Sequence, residues 1–315
     1  MFAVRGISVS LSVFVIVYCA VSVAVSIAWQ RLEDFFQTYS IRRKADLLFV
    51  MRMSPFVAAA LVTLAFAVPS FLLLEPRAIV EPIGMAPLVL GMCGVGIGLC
   101  GLTNAAIALH RASRTISEWT RGSRRVESLR DIPVLRISRT VPAVTVAGIV
   151  RPKVLLSAVA EFVLTRNELH TALGHEFAHI ERRDNLKKLL FLFVAFPGMR
   201  PLEMAWLEAT EMAADDAAVT NTSEALDLAA ALIKLSRLGP MESPAALTSA
   251  LMTGVAAVNA RVERLLAWKD DRSVPASSFS LLYGLAAAFT TAGVFAVSYS
   301  YLLVRIHTAT EWLVR

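Results

Sequence analysis

The residues with the clearest chemical potential in this 315-residue chain form one run, His175-Glu176-Phe177-Ala178-His179. On an α-helix, residues four apart share a face, so the two imidazoles can hold one metal ion together. Glu176 stands at the edge of that face, within reach of a water beside the ion without ligating the ion itself. Farther along, Glu211 and Asp215 repeat the four-residue spacing. Glu211 can complete a His₂Glu set that leaves the fourth position of a zinc ion open. Asp215 can accept the second ring N–H of a ligating histidine and fix its tautomer. Such a set suits peptide hydrolysis: zinc lowers the pKa of water toward ~7, and Glu176 removes the proton as the oxygen attacks a carbonyl. The negative charge that develops needs a further donor. No Tyr falls between 111 and 278, and no His between 179 and 307. Arg261 or Asn259 is therefore the candidate oxyanion stabiliser, with a plain surface cation as the alternative for Arg261. Glu208 and Asp216 read as solvated or helix-terminal charges, and His110, His170 and His307 as boundary, packing or surface residues.

Local signals say which elements must hold these groups. Thr165 followed by Glu168 is a capping-box pattern, so a helix starts there and carries His175 and His179. The charged run Glu181-Arg182-Arg183-Asp184 keeps that helix out of lipid. A second helix, Leu202 to Val219, brings Glu211 and Asp215, and a third, Pro244 to Trp268, brings Asn259 and Arg261. Upstream, Val134 to Ile137, Ala143 to Val150 and Val154 to Ser157 read as Val-rich strands punctuated by Pro142 and Pro152. The stretch Val144 to Val150 is either an exposed edge, able to add an extended substrate peptide, or an interior strand. Leu189 to Phe196 is apolar but too short to span a bilayer, and should lie against lipid or the membrane helices.

Hydrophobic residues make up 56% of the chain and charged residues 18%, against about 45–50% and about 25% in ordinary soluble domains. Mean hydropathy is +0.61. Disorder, collagen, a small disulfide scaffold and a purely soluble enzyme are excluded. Four stretches are long and apolar enough to span: Ile7 to Trp29, Ser54 to Leu74, the Gly-rich Ile83 to Leu109, and Phe279 to Val304. The expected architecture is thus a four-span helical membrane bundle with an α+β zinc-peptidase domain inserted between the third and fourth spans. Residues 1–110 hold three spans and a basic loop at 30–53, 111–278 the catalytic domain, and 279–315 the fourth span and a short outer tail. Arg31, Arg42, Arg43, Lys44 and Arg52 in the first connector, and Arg111, Arg114, Arg121, Arg124, Arg125 and Arg130 after the third span, place both on the cytosolic side. Both termini then lie outside a bacterial-type inner membrane. This bias explains the arginines, and the net charge of +6, without a nucleic-acid partner. Cys19, Cys93 and Cys100 sit in apolar runs and form neither a disulfide framework nor a thiolate metal site.

Taken together, His175 through Leu186, the upstream block Gly148 to Ser157 and the downstream block Glu211 to Val219 resemble the BlaR/MecR-type membrane zinc peptidases, metallopeptidase family 56. The resemblance covers most of the catalytic domain. It implies a gluzincin fold with one Zn²⁺ per chain, His175, His179 and Glu211 as ligands, Glu176 catalytic, and Asp215 supporting a ligand. In the best-known members an extracellular sensor triggers self-cleavage and then loss of a transcriptional repressor. About ten residues follow Val304, so a penicillin-binding sensor domain is not expected, and neither Ser-x-x-Lys nor Lys-Thr-Gly signatures of one occur. The expected function is a membrane-anchored zinc endopeptidase that cuts a cytosolic repressor-like protein, itself, or both; self-association stays open. Alternatives are an HtpX-like or CAAX-prenyl-protease-like processing peptidase and, in another class, a non-catalytic membrane signalling scaffold.

Overall fold

The computed structural model describes residues 2–32, 39–76, 84–129, 132–137, 144–238, 248–250, 255–268, 299 and 301–312. The chain divides into two units: Met1–Gln30, Met53–Cys100 and Asp271–Arg315 in the first, Arg31–Arg52 and Gly101–Asp270 in the second.

The first unit is built from apolar helices. Three helical stretches, Phe2–Arg31, Ile41–Leu74 and Met85–Thr120, are long and apolar enough to cross a membrane. They comprise α1 (Phe2–Leu32), α2 (Ile41–Val62) continued through a π-turn at Thr63–Ala67 into α3 (Val68–Leu74), and α4 (Met85–Thr120). Some polar groups find partners within the unit: the Ser12 hydroxyl donates to the Ser8 and Pro87 carbonyls at 2.7 and 3.1 Å, and Arg5 pairs with Glu75 at 2.9 Å. The fourth span expected at Phe279 to Val304 lies outside the described residues except at 299 and 301–304, and 301–312 are helical. The three cysteines are free thiols.

In the second unit, β1 (Arg124–Leu129), β2 (Ile132–Ile137), β3 (Val144–Ala147), β4 (Lys153–Ser157) and β5 (Thr248–Ala250) form a sheet in the order β1-β2-β4-β3-β5. Only β2 and β4 are parallel; the other pairs are antiparallel. β3 and β4 are joined by a turn at 148–152 that needs a glycine: Gly148 has φ +98, and a Cβ there would lie 3.0 Å from the Arg151 carbonyl oxygen. Because both faces of β3 and β4 are covered, these strands carry near-continuous apolar residues. Val144, Val146, Val154 and Leu156 pack on one side with Phe177, Leu228, Leu232 and Val258, while Ala147 and Leu155 meet Trp119 of α4 on the other.

The helices after the sheet are α5 (Ala158–Val163), α6 (Arg166–Glu181), α7 (Asp184–Phe193), α8 (Arg200–Ala218), α9 (Thr222–Ser236) and α10 (Val255–Leu266). The capping box that starts α6 forms as expected: Glu168 accepts from the Thr165 amide at 2.8 Å, and Thr165 Oγ1 accepts from the Glu168 amide at 3.3 Å. Lys234 of α9 reaches Glu168 at 2.7 Å, and the pairing outweighs burial to hold its carboxyl below the ordinary range. α7 is the apolar stretch too short to span. Its Leu189 and Leu192 pack on Ala108 and Ala112 of α4, and its end meets α4 so closely that a Cβ on Gly101 would stand 2.2 Å from the Phe193 carbonyl oxygen.

Two features differ from the sequence expectation, and a third decides between two readings. Residues 41–52, read as part of a loop, are helical and continuous with α2, since nothing in Ile41-Arg-Arg-Lys-Ala-Asp breaks a helix. Of the helix expected over Pro244 to Trp268, Val255–Leu266 is helical, whereas Thr248–Ala250 pairs as a strand with β3 and the rest up to residue 254 lies outside the described residues. That pairing makes β3 interior and leaves β5 at the sheet edge, so of the two readings of this strand the interior one applies.

Candidate metal centre

α6 and α8 cross within the second unit and bring their four-residue repeats face to face. His175, His179 and Glu211 form a buried group whose ligand atoms all lie within 4.8 Å of one another. The two Nε2 atoms are 3.1 Å apart; Glu211 Oε2 stands 3.5 Å from that of His175, and Glu211 Oε1 stands 3.5 Å from that of His179. Donors bound at 2.0–2.1 Å to a tetrahedral zinc are separated by roughly 3.3–3.4 Å, close to the nearest separations between these three side chains.

Each imidazole is held from behind by a carboxylate. His175 Nδ1 lies 2.9 Å from Asp215 Oδ1, and His179 Nδ1 lies 2.8 Å from Asp184 Oδ2. A proton on each Nδ1 leaves each Nε2 lone pair aimed at the common centre, the arrangement that orients metal-binding histidines. Asp184 follows His179 by five residues, off the helical repeat, so spacing alone does not mark it as a partner. It reaches back because α6 ends at Glu181 and the chain turns at Arg183, whose left-handed backbone (φ 54) precedes the first residue of α7.

α10 contributes Arg261, whose side chain is only 2% exposed. Its Nε and Nη2 donate to the two Asp215 oxygens at 2.7 and 2.6 Å, and its Nη1 donates to Glu211 Oε2 at 3.1 Å. Burial therefore replaces the surface-cation reading of Arg261, and the guanidinium faces the carboxylates around the donor set. Asn259, the other residue considered with it, is exposed on the same helix and is not brought to the group. Glu208, Asp216 and His170 are exposed, and Asp216 pairs with Arg264.

Glu176 is fully buried, and its Oε2 accepts a hydrogen bond from the Val146 amide of β3 at 2.8 Å. Glu176, Glu211 and Asp215 thus share an interior with one guanidinium, an excess of negative charge that a divalent cation would balance. Without a metal, the histidine responds. Burial acts to lower the His175 pKa, but Asp215 and Glu211 outweigh it and raise the value to about 9. Burial lowers the His179 pKa. Against the opposing effect of burial, the two histidines and Arg261 hold Glu211 below the ordinary carboxylate range, and Arg261 does the same for Asp215.

The donor types, their spacing and the local charge excess all fit a zinc ion. No curated protein matches the chain in sequence. The sequence model described as BlaR1 peptidase M56 matches residues 94–265, which takes in the sheet, the donor helices and α10. Since that match spans more than half of its 315 residues, the chain belongs to the BlaR1 peptidase M56 family.

Proposed function

We propose that this membrane peptidase is a zinc-dependent endopeptidase with a regulatory role, cutting a cytosolic repressor-like protein, itself, or both. The observation that carries the reading is the donor triangle of His175, His179 and Glu211, whose side chains approach one another to 3.1–3.5 Å, with a carboxylate behind each imidazole.

His175, His179 and Glu211 would hold the ion, leaving one position of a four-coordinate site for substrate or water. A zinc ion bound there supplies a Lewis acid for the scissile carbonyl and makes water acidic enough to lose a proton near neutrality. Glu176 is the general base in this reading. The Val146 amide fixes one carboxylate oxygen, so the side chain is oriented before substrate arrives. It takes a proton from the attacking water and returns it to the amine nitrogen that leaves. Asp215 and Asp184 keep the Nδ1 protons in place, and Arg261 keeps Asp215 and Glu211 in register.

Self-cleavage draws support from β5. Extended substrates commonly dock on zinc peptidases by adding a strand, and here Thr248–Ala250 of the same chain lies antiparallel along β3, the strand whose amide holds Glu176. The arginine-rich connectors support a cytosolic catalytic unit with both termini outside. Protein or peptide substrate and lipid are then the partners.

The test is Glu176→Gln in the full-length protein. Zinc should be retained at one per chain while Glu176-dependent peptide cleavage and self-cleavage stop. Retained cleavage would remove Glu176 from the mechanism. A cellular phenotype that survives the substitution would favour a scaffold.

A further inference from the structure

We infer that the cavity beside His179 is a specificity pocket for a bulky apolar side chain of the substrate peptide, and that Arg183 at its rim selects an acidic residue next to it. This assignment rests on the peptidase reading above and names the substrate class that reading leaves open.

The cavity has a volume of about 410 Å³, at the lower end of the roughly 300–1,000 Å³ typical of ligand sites. Its walls are Val146, Ile149 and Pro152 from the β3–β4 hairpin, and Ile180 and Leu186 from the ends of α6 and α7. It adjoins the candidate metal centre through two of its lining residues. His179 forms part of its lining, and Val146, another lining residue, is the one whose amide holds Glu176. A side chain entering here therefore belongs to a residue close to the bond being cut. The hairpin wall is fixed by Asn185 Nδ2, which donates to the Gly148 carbonyl at 3.2 Å, so the pocket is shaped before anything enters. Against the apolar part of this lining a small polar side chain loses water without a partner, whereas a leucine or phenylalanine buries apolar surface.

Arg183 is exposed, lines the same cavity and makes no ion pair among the described residues. It is also the sole non-glycine residue with positive φ among them. Glycine would adopt this backbone at lower cost, so the backbone alone does not call for an arginine here. A cation at the rim of an apolar pocket complements a peptide whose bulky residue is flanked by Asp or Glu. The left-handed turn also aims Asp184 inward at His179, so one turn both supports a donor and presents the rim charge.

The test uses zinc-loaded full-length protein in lipid nanodiscs and four fluorescent peptides with Leu or Ser at the central position, each flanked by Glu or Lys. Cleavage is measured with the wild type, and peptide binding by anisotropy with Glu176→Gln, which reads recognition without turnover. Leu should be preferred over Ser by about tenfold or more, in line with apolar pockets of other enzymes. Glu should be preferred over Lys by about two- to fivefold, the range of one exposed ion pair. Arg183→Glu should invert the Glu/Lys preference and leave the Leu/Ser preference intact. Val150→Trp, at a lining position that is 91% exposed and so safe for folding, should narrow the pocket and erase the Leu preference. Glu176-dependent cleavage whose preferences do not respond to either substitution would overturn the pocket assignment and leave the peptidase reading standing. Absence of both zinc and cleavage in the wild type would overturn the peptidase reading and the pocket with it.

Discussion

Replacing Arg261 with Met separates two roles that a buried arginine near a metal centre can play. In the structure the guanidinium occupies both oxygens of Asp215, which is fully buried, and one oxygen of Glu211. Methionine keeps much of the volume but removes three donors and the charge. Breaking a buried pair by deleting one partner costs about 3–5 kcal/mol, because the remaining carboxylate is left uncompensated. Part of this is recovered in the metal-free protein, since Arg261 opposes protonation of His175 and its loss lets that histidine charge more readily. We therefore expect destabilisation of about 2–4 kcal/mol in denaturant titrations of the metal-free protein. With Asp215 no longer held, His175 loses its alignment, and zinc affinity should fall about 10–100-fold in chelator competition. Arg261→Lys keeps the charge without the planar fork and should fall between the two. The contrary result is clear: unchanged zinc affinity and stability with kcat/KM down by about 10²–10³ would make Arg261 a donor to the transition state. That is the role its sequence position first suggested.

Other expectations follow from the same geometry. Asp184→Asn removes the carboxylate behind His179 and should weaken zinc binding about 10–100-fold, measured by chelator competition; an unchanged Kd would show that the 2.8 Å contact does not support the ligand. The His175 pKa is raised in the folded metal-free protein to about 9, so its stabilising effect is complete below the unfolded value near 6.5 and is lost as pH rises toward 9. The lowered Glu211 and Asp215 values act in the opposite sense, their contribution being present at neutral pH and lost in acid. Zinc uptake at pH 7 should accordingly release a proton, visible by calorimetry in buffers of different ionisation enthalpy; uptake without proton release would contradict the charged His175. Gly101→Ala places a Cβ 2.2 Å from the Phe193 carbonyl oxygen, a backbone atom that cannot swing aside, and should destabilise the α4–α7 packing by about 1–3 kcal/mol in thermal unfolding.

Much of the centre could be read from spacing alone. Capping at Thr165 fixes where α6 begins, and helical periodicity then puts His175 and His179 on one face and Glu211 and Asp215 on another. What local patterns could not carry depended on backbone breaks and distant pairing. Asp184 lies off the helical repeat and becomes a histidine partner only through the left-handed turn at Arg183. Arg261 looks like any helical cation until α10 packs against α9 and the guanidinium is buried against Asp215 and Glu211 of α8. Thr248-Ser249-Ala250 has no strand signature of its own, and it is strand only because β3 offers an edge about a hundred residues upstream. The helix over 41–52 was obscured by its charges, which mark a connector in a membrane protein but are no obstacle to helix.

X-ray absorption spectroscopy of the zinc-loaded full-length protein examines the donor triangle itself. The account predicts one zinc per chain with two imidazole nitrogens and low-Z oxygen neighbours at about 2.0–2.2 Å, and loss of one oxygen shell component in Glu211→Ala. A zinc-free protein after loading, a sulfur shell, or a spectrum indifferent to His175→Ala and Glu211→Ala would contradict it.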